Sequence, residues 1–400
     1  MIKQTNSWIL PAGIEEVLPP DAYEIELLCR RMLDQFDRWG YELVLPPLIE
    51  YLDSLLTGTG EDLDLKTFKI TDQLSGKMMG IRADMTPQVA RIDSNILKQE
   101  TPTRLCYFGT TLHTRPRSQG GTRSPLQVGA ELFGHAGVES DAEILVLMLK
   151  TLEITGVSNV HVDIGHMGIY RRLIGLLGIT PKQEAVINSC LQRKATPELR
   201  GWLKEWSINA KLADVVLLLV NLHGDVSVLA EARAAFRSVD EGIVNCIDEL
   251  DRIAEQVTRQ SGDASLLFDL ADLRGYKYHN GMMFTAYMHG QGQGIAFGGR
   301  YDGIGREFGR SRPATGFSAD VKLLYDLADR PERLRTAIFA PASADPALTG
   351  VITDLRTRGE RVIAGLPGQT GAAAEMQCDR ELYQEQGQWK VRSVTGDRQT

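Results

Sequence analysis

The sequence predicts a mixed α/β (α+β) protein: an antiparallel sheet core flanked by helices, broken by a helical insertion and followed by a small C-terminal α/β module. Three observations carry this expectation. Short segments such as Val160-His161-Val162-Asp163-Ile164 alternate apolar and polar residues, the period of a half-buried strand. From about residue 167 to 257 the pattern becomes almost purely helical. After Arg330-Pro331 the composition shifts and short strand, helix and strand signals resume. The expected division is therefore residues 1–330, with the insertion at about 167–257, and residues 331–400.

The chain has 400 residues, 43% of them hydrophobic, enough to bury more than one core. Its net charge of −8, with no Lys/Arg-rich block, argues against a polyanionic ligand bound through phosphate contacts. The cysteines Cys29, Cys106, Cys190, Cys246 and Cys378 are widely spaced and lack a C-x-x-C pair, so neither a disulfide framework nor a zinc knuckle is expected. His161 and His166 do not share a helical face, and no metal site is expected. No signal-peptide pattern opens the chain, and the longest aliphatic run, Val215 to Val220, is too short to span a bilayer. A cytoplasmic protein without membrane attachment is the expectation.

Residues 21–39 place Ile25, Leu28, Met32, Phe36 and Trp39 at helical spacing, with Asp21 as the expected cap and Gly40 as the stop. Tyr41 to Leu45 reads as a strand ended by Pro46-Pro47, which cannot donate to a ladder. Residues 66–81 read as a hairpin turning at Ser75-Gly76. Strands at 104–109 and 126–133 enclose a polar loop. Ser140-Asp141-Ala142-Glu143 reads as a capping box opening a helix that stops at Gly156. Helices are expected at 169–177, 181–194, 197–206 and 245–257, then strands at 266–270, 283–288 and 295–297, and a helix at about 318–327. Gly290-Gln291-Gly292-Gln293-Gly294 is followed by strand-like residues, so a hairpin turn is expected there rather than a nucleotide-binding loop. In the tail, strands at 336–340, 361–364 and 389–394 accompany a helix near 348–358.

Several segments carry chemistry. Gln127 and Glu131, at i and i+4 on one strand, point to the same side. Ile81-Arg82-Ala83-Asp84-Met85-Thr86-Pro87 offers an acid and a hydroxyl, acceptors suited to an ammonium. Leu273-Arg274-Gly275-Tyr276-Lys277-Tyr278-His279 and Gly298-Gly299-Arg300-Tyr301-Asp302-Gly303 add an arginine, tyrosines and glycines. Together with Cys106 to Arg115 and Gln127 to Gly134, these segments resemble the motifs of class II aminoacyl-tRNA synthetases, in the version carried by histidyl-tRNA synthetases, over roughly residues 8–330. The helix, strand and proline of residues 21–47 resemble that family's first motif, which builds its homodimer interface.

The resemblance implies a histidine-binding pocket of Asp84, Thr86, Gln127, Glu131, Arg274, Tyr278 and Tyr301. In it Asp84, Thr86 and Gln127 would hold the amino group, Glu131 the imidazole and Arg274 the carboxylate. It also implies what is missing. His113 stands where the family's arginine grips the ATP α-phosphate, and Leu323 where another holds the γ-phosphate. Arg115, Arg117 and Lys322 are the cations that could shift into the gap. Phosphate-clamping arginines are worth roughly 10³–10⁵ in rate in phosphoryl transfer, so adenylation is expected to be lost. The tail is short for an anticodon-binding domain and carries Glu375, Asp379, Glu381 and Glu385 among few lysines.

A synthetase-like core with an eroded ATP site and a reduced tail resembles the regulatory subunits of ATP phosphoribosyltransferase. That resemblance implies a chain with no catalytic residues or cofactor of its own and no tRNA partner. It would self-associate as a dimer within a hetero-octamer with the short-form catalytic subunit. It would support the first step of L-histidine biosynthesis and convey feedback inhibition by L-histidine. A divergent histidyl-tRNA synthetase and a stand-alone histidine-sensing protein are the alternatives.

Overall fold

The computed structural model describes residues 9–57, 61–116, 121–262, 264–275, 278–328 and 336–394. The chain divides into two compact units, Met1–Asp329 and Arg330–Thr400. In the first, α1 (Asp21–Arg38) buries Ile25, Leu28, Cys29, Met32 and Phe36 along one stripe, as its apolar period requires. Asp21 does not cap it: Pro20 holds the cap position without a side-chain bond, and Asp21 accepts from the Tyr325 hydroxyl at 2.9 Å. Placed in the first turn, the acid still meets the positive end of the helix dipole. Only Glu42–Leu43 (β1) pairs in the following strand, because Pro46-Pro47 ends it.

β2 (Ile49–Tyr51), α2 (Leu52–Leu56), α3 (Glu61–Lys66), β3 (Phe68–Thr71) and β4 (Met78–Ile81) follow, and their strands form a small antiparallel sheet in the order β2-β4-β3. α4 (Thr86–Arg91) and a π-turn at Ile92–Leu97 lead to β5 (Thr103–Thr110), β6 (Leu126–Phe133), α5 (Val138–Thr155) and β7 (Val160–His166). The helical stretch comprises α6 (Met167–Leu177), α7 (Pro181–Gln192), α8 (Thr196–Glu205), α9 (Ala210–Leu219), a two-residue strand β8 (His223–Gly224), α10 (Ser227–Phe236) and α11 (Glu241–Ser261). β9 (Ser265–Asp269), β10 (Met282–Met288), β11 (Gly294–Arg300), α12 (Ile304–Glu307), β12 (Ala314–Asp320) and α13 (Val321–Leu327) complete the unit.

Nine strands join in the order β1-β5-β6-β12-β11-β10-β7-β9-β8, antiparallel through the centre and parallel at β1/β5 and β7/β9. Alternation along β6 divides the sheet's two faces. Val128, Ala130 and Leu132 enter the main core, which also holds α1, α5 and α11 side chains. Gln127, Gly129 and Glu131 face the other way, where Leu105, Tyr107, Tyr301 and Ala314 form a second cluster with Met85 and Val89 of the α4 segment.

Two further sequence expectations require correction. The helix expected at 318–327 begins only at Val321, and Ala314–Asp320 is a strand between β6 and β11. Its small residues carry weak intrinsic strand preference, and pairing on both sides imposes the conformation. The expected capping box is displaced as well. Gly137 is the cap residue of α5, Ser140 lies inside the first turn, and Glu143 instead receives Arg104 in a two-point ion pair at 2.7 and 2.8 Å.

The second unit is a four-stranded sheet in the order β14-β13-β15-β16, from β13 (Ile338–Ala340), α14 (Pro346–Thr357), β14 (Val362–Ala364), β15 (Arg380–Glu385) and β16 (Gln388–Ser393). Ile338, Ala340, Leu348, Val362 and Leu382 form its core. β15 is not legible in the sequence, because Arg-Glu-Leu-Tyr-Gln-Glu buries only Leu382.

In the first unit, Arg300 at the end of β11 joins segments remote in sequence. Its guanidinium donates to Asp141 at 3.0 Å, Ser140 Oγ at 2.8 Å, the His135 and Gly137 carbonyls at 3.1 and 3.2 Å, and Asp302 at 3.2 Å. The pair is almost fully buried, and burial pushes the Asp141 carboxyl up despite the neighbouring guanidinium. Removing one member of such a pair strands the other. Arg300→Met is expected to lower unfolding free energy by roughly 3–5 kcal/mol, measured by urea denaturation. A loss below ~1 kcal/mol would show that the hub is dispensable.

Candidate functional site

The site is built on the sheet face that carries Gln127 and Glu131. Asp84 lies just after β4, and its Oδ1 accepts from the Thr86 N–H at 3.1 Å, shaping the entry to α4. Gln127 locks this turn to β6: its Nε2 donates to Asp84 Oδ1 at 2.8 Å, and its Oε1 accepts from the Met85 N–H at 3.1 Å. Both ends of the amide are engaged, so its orientation is fixed.

Glu131 lies two pleats further along, 1% exposed. Its Oε1 accepts from the hydroxyls of Thr86 and Tyr107, each at 2.9 Å, and its Oε2 accepts from Tyr301. Thr86 Oγ1 and Tyr107 OH also lie 3.0 Å apart, so three contacts share two hydroxyl protons. Burial pushes the Glu131 carboxyl up to about 8 against the opposing pull of its three hydroxyl donors.

The sheet has room for this carboxylate only because of glycine. A Cβ on Gly316, which pairs with Glu131 across β12, would coincide with Glu131 Oε2. A Cβ on Gly129 would strike the Tyr107 hydroxyl. Beside them opens a cavity of about 330 Å³ lined by Asp84, Thr86, Glu131, Tyr278 and Tyr301, together with Lys66, His279, Phe297 and Ser318. Tyr278 stacks on Tyr301 with ring centroids 5.0 Å apart, and its buried hydroxyl has no hydrogen-bond partner among the described residues. A ligand of amino-acid size with a polar ring would find an acid at one end, an acid and a hydroxyl at the other, and stacked aromatic walls.

The structure thus brings Asp84, Thr86, Gln127, Glu131, Tyr278 and Tyr301 together. Arg274 is not among the cavity-lining residues. Its Nε donates to both oxygens of Asp272 at 2.9 and 2.8 Å, its guanidinium covers the Tyr287 ring at 5.3 Å, and Asp163 lies 3.9 Å away. Lys277 and Arg117 lie outside the described residues. Sequence reasoning missed Tyr107, Lys66 and Gly316, while His279 closes the segment 273–279 that it singled out. Tyr107 was within reach, since it shares the strand face of Leu105 opposite Gly129, whereas Gly316 meets Glu131 only through the long-range pairing of β6 with β12.

His113 and Leu323 serve the scaffold. His113 is 2% exposed, with Nε2 2.8 Å from the Ala83 carbonyl, so it braces the segment that presents Asp84. Leu323, on α13, packs half-buried on the main core. Lys322 is held by the Ser124 carbonyl at 2.9 Å and Glu15 at 3.3 Å, and Arg115 is exposed. Among the described residues no group of His, Cys, Asp and Glu has a metal-binding arrangement, and no helix is long and apolar enough to cross a membrane.

Comparison with known proteins sets this geometry in a family. The histidyl-tRNA synthetase family model matches residues 13–324, and that of the ATP phosphoribosyltransferase subunit HisZ C-terminal domain matches residues 335–392. The chain is 54% identical to the ATP phosphoribosyltransferase regulatory subunit of Thioalkalivibrio sulfidiphilus, over 97% of this chain and 98% of that one. The chain belongs to the family of ATP phosphoribosyltransferase regulatory subunits. The subunit of the same name from Alkalilimnicola ehrlichii is 50% identical, over 96% of each chain. A crystal structure described as an ATP phosphoribosyltransferase regulatory subunit/histidyl-tRNA synthetase from Bacillus halodurans superposes with a TM-score of 0.82 at 26% identity, covering 92% of this chain and 96% of that one. Membership makes this chain a non-catalytic member of an enzyme complex in histidine biosynthesis, with a class II synthetase-like fold and a catalytic partner.

The raised Glu131 carboxyl has a measurable consequence. Between its ordinary value of 4.5 and about 8, the folded chain holds a proton here that the unfolded chain has released. Stability from this group therefore falls as pH rises through that window and levels off above it. Urea unfolding across the window should give a falling contribution in the native chain that is absent in Glu131→Gln. Identical pH slopes in the two proteins would mean that the carboxylate stays ionised throughout.

Proposed function

We propose that the chain binds L-histidine in the Glu131 cavity and passes its occupancy to a short-form catalytic subunit as feedback inhibition. The observation that carries the proposal is the buried Glu131 carboxylate, ringed by Thr86, Tyr107 and Tyr301 hydroxyls and facing the cavity beside the unpartnered Tyr278 hydroxyl. An imidazole directed at Glu131 would find a hydrogen-bonding carboxyl, and an ammonium at Asp84 and Thr86 a charge-assisted acceptor beside a hydroxyl. In this reading Gln127 orients Asp84, and Tyr278 and Tyr301 flank the ring.

Inhibition then follows from linkage. Histidine favours one arrangement of the assembly, and the same preference must act in reverse on substrate binding by the catalytic subunit, with a coupling of roughly 1–3 kcal/mol. Docking alone, without histidine, stabilises the active arrangement of the partner. The assembly is a cytoplasmic hetero-octamer built on dimers of this chain. The exposed Leu43, Leu45, Leu48, Ile49 and Tyr51, around β1 and β2, support a surface that a second copy covers.

The test is phosphoribosyl transfer by the short catalytic subunit, with and without this chain, each titrated with histidine. The expected result is turnover that depends on this chain and falls with histidine, with Glu131→Gln shifting the inhibition curve to at least roughly tenfold higher histidine. Turnover indifferent to the chain would remove the regulatory role, and inhibition unchanged in Glu131→Gln would move the effector elsewhere. Light scattering should give a dimer for the chain alone and a four-plus-four complex with its partner. A monomer at micromolar concentration would refute the dimeric arrangement.

A further inference from the structure

We propose that Lys66, rather than Arg274, is the cation that meets the carboxylate of the amino acid bound in the Glu131 cavity; the inference rests on the histidine reading above. A zwitterionic ligand brings an anion into a cavity that already holds the Asp84 carboxylate, and a cation facing the ligand's own carboxylate offsets that repulsion. Among the described residues, Lys66 is the only lysine or arginine lining that cavity. His279 also lines it, but burial, with Arg171 nearby, lowers its ring to about 4 and leaves it neutral near pH 7.

The neighbouring arginines and Lys322 are already committed. Arg82 donates to the Pro46 and Thr110 carbonyls at 2.6 and 3.0 Å, and Arg123 to the His113 and Ala12 carbonyls, both at 3.0 Å. Lys322 is bound to Ser124 and Glu15, and Arg300 to the Asp141 network. Arg274 is chelated by Asp272 and covers Tyr287, so recruiting it means breaking a two-point ion pair.

Lys66 carries no such ties. It ends α3, where its carbonyl accepts from the Thr114 N–H at 2.9 Å and pins that turn beside the site. Asp64 of the same helix is paired with Lys69 at 2.8 Å, and Lys66 has no ion-pair partner among the described residues. Its long flexible stem lets an ammonium at the rim reach inward without moving the backbone.

Isothermal titration of the full chain with L-histidine and L-histidinamide, which lacks the carboxylate charge, tests this in the native, Lys66→Met and Arg274→Met proteins. The native chain should prefer histidine to its amide by roughly ten- to a hundredfold. Lys66→Met should bring that preference close to unity while leaving the amide's affinity near native, and Arg274→Met should keep it. A preference that survives in Lys66→Met, or collapses in Arg274→Met, overturns the assignment and leaves the histidine pocket standing. Equal affinities in the native chain do the same. Failure of the native chain to bind histidine at all overturns the pocket and this assignment together.

Discussion

The burial of one carboxylate constrains the rest of the site. Water cannot solvate Glu131, so the fold must supply its donors, and it draws them from β5, from the start of α4 and from the segment after β11. β6 and β12 must pair in the register that sets Gly316 against Glu131, because any other residue there collides with the acid. A slip of one residue would exchange Glu131 for Ala130 and turn the site into core. The pocket is therefore a property of strand register before it is a property of any one side chain.

The same carboxylate relates folding to recognition. Its hydroxyl partners are close to one another and short of one proton, an arrangement that adapts readily when a ligand N–H arrives. The phosphate end of the ancestral frame has gone the other way. At the two positions that the sequence resemblance sets against phosphate-binding arginines, this chain has a histidine turned onto the Ala83 carbonyl and a leucine packed on the core. Both positions now support the scaffold, which is consistent with a chain that regulates a partner enzyme.

Much of this was legible in the sequence. Strands were expected at 104–109, 126–133 and 160–164, the last from its alternation, and the segments 81–87, 127–134 and 298–303 singled out Asp84, Thr86, Gln127, Glu131 and Tyr301. What escaped depends on distant partners. β12 is a strand because of β6 and β11, not because of Ala-Thr-Gly-Phe-Ser-Ala. Asp21 and Ser140 look like caps locally, yet the chain enters each helix elsewhere, and their oxygens serve Tyr325 and Arg300. Arg274 sits in a segment matching a carboxylate-binding motif, and only the structure reveals Asp272 holding it.

The bare backbone at Gly316 has a consequence for heredity. Every glycine codon lies one nucleotide from an alanine codon, and the added methyl would occupy the place of Glu131 Oε2. That methyl would also lie 2.8 Å from the Ala130 carbonyl, so the acid would have to swing aside and the pairing of β6 with β12 would have to shift as well. On the proposed reading, a single nucleotide change there displaces the acid that the effector would meet.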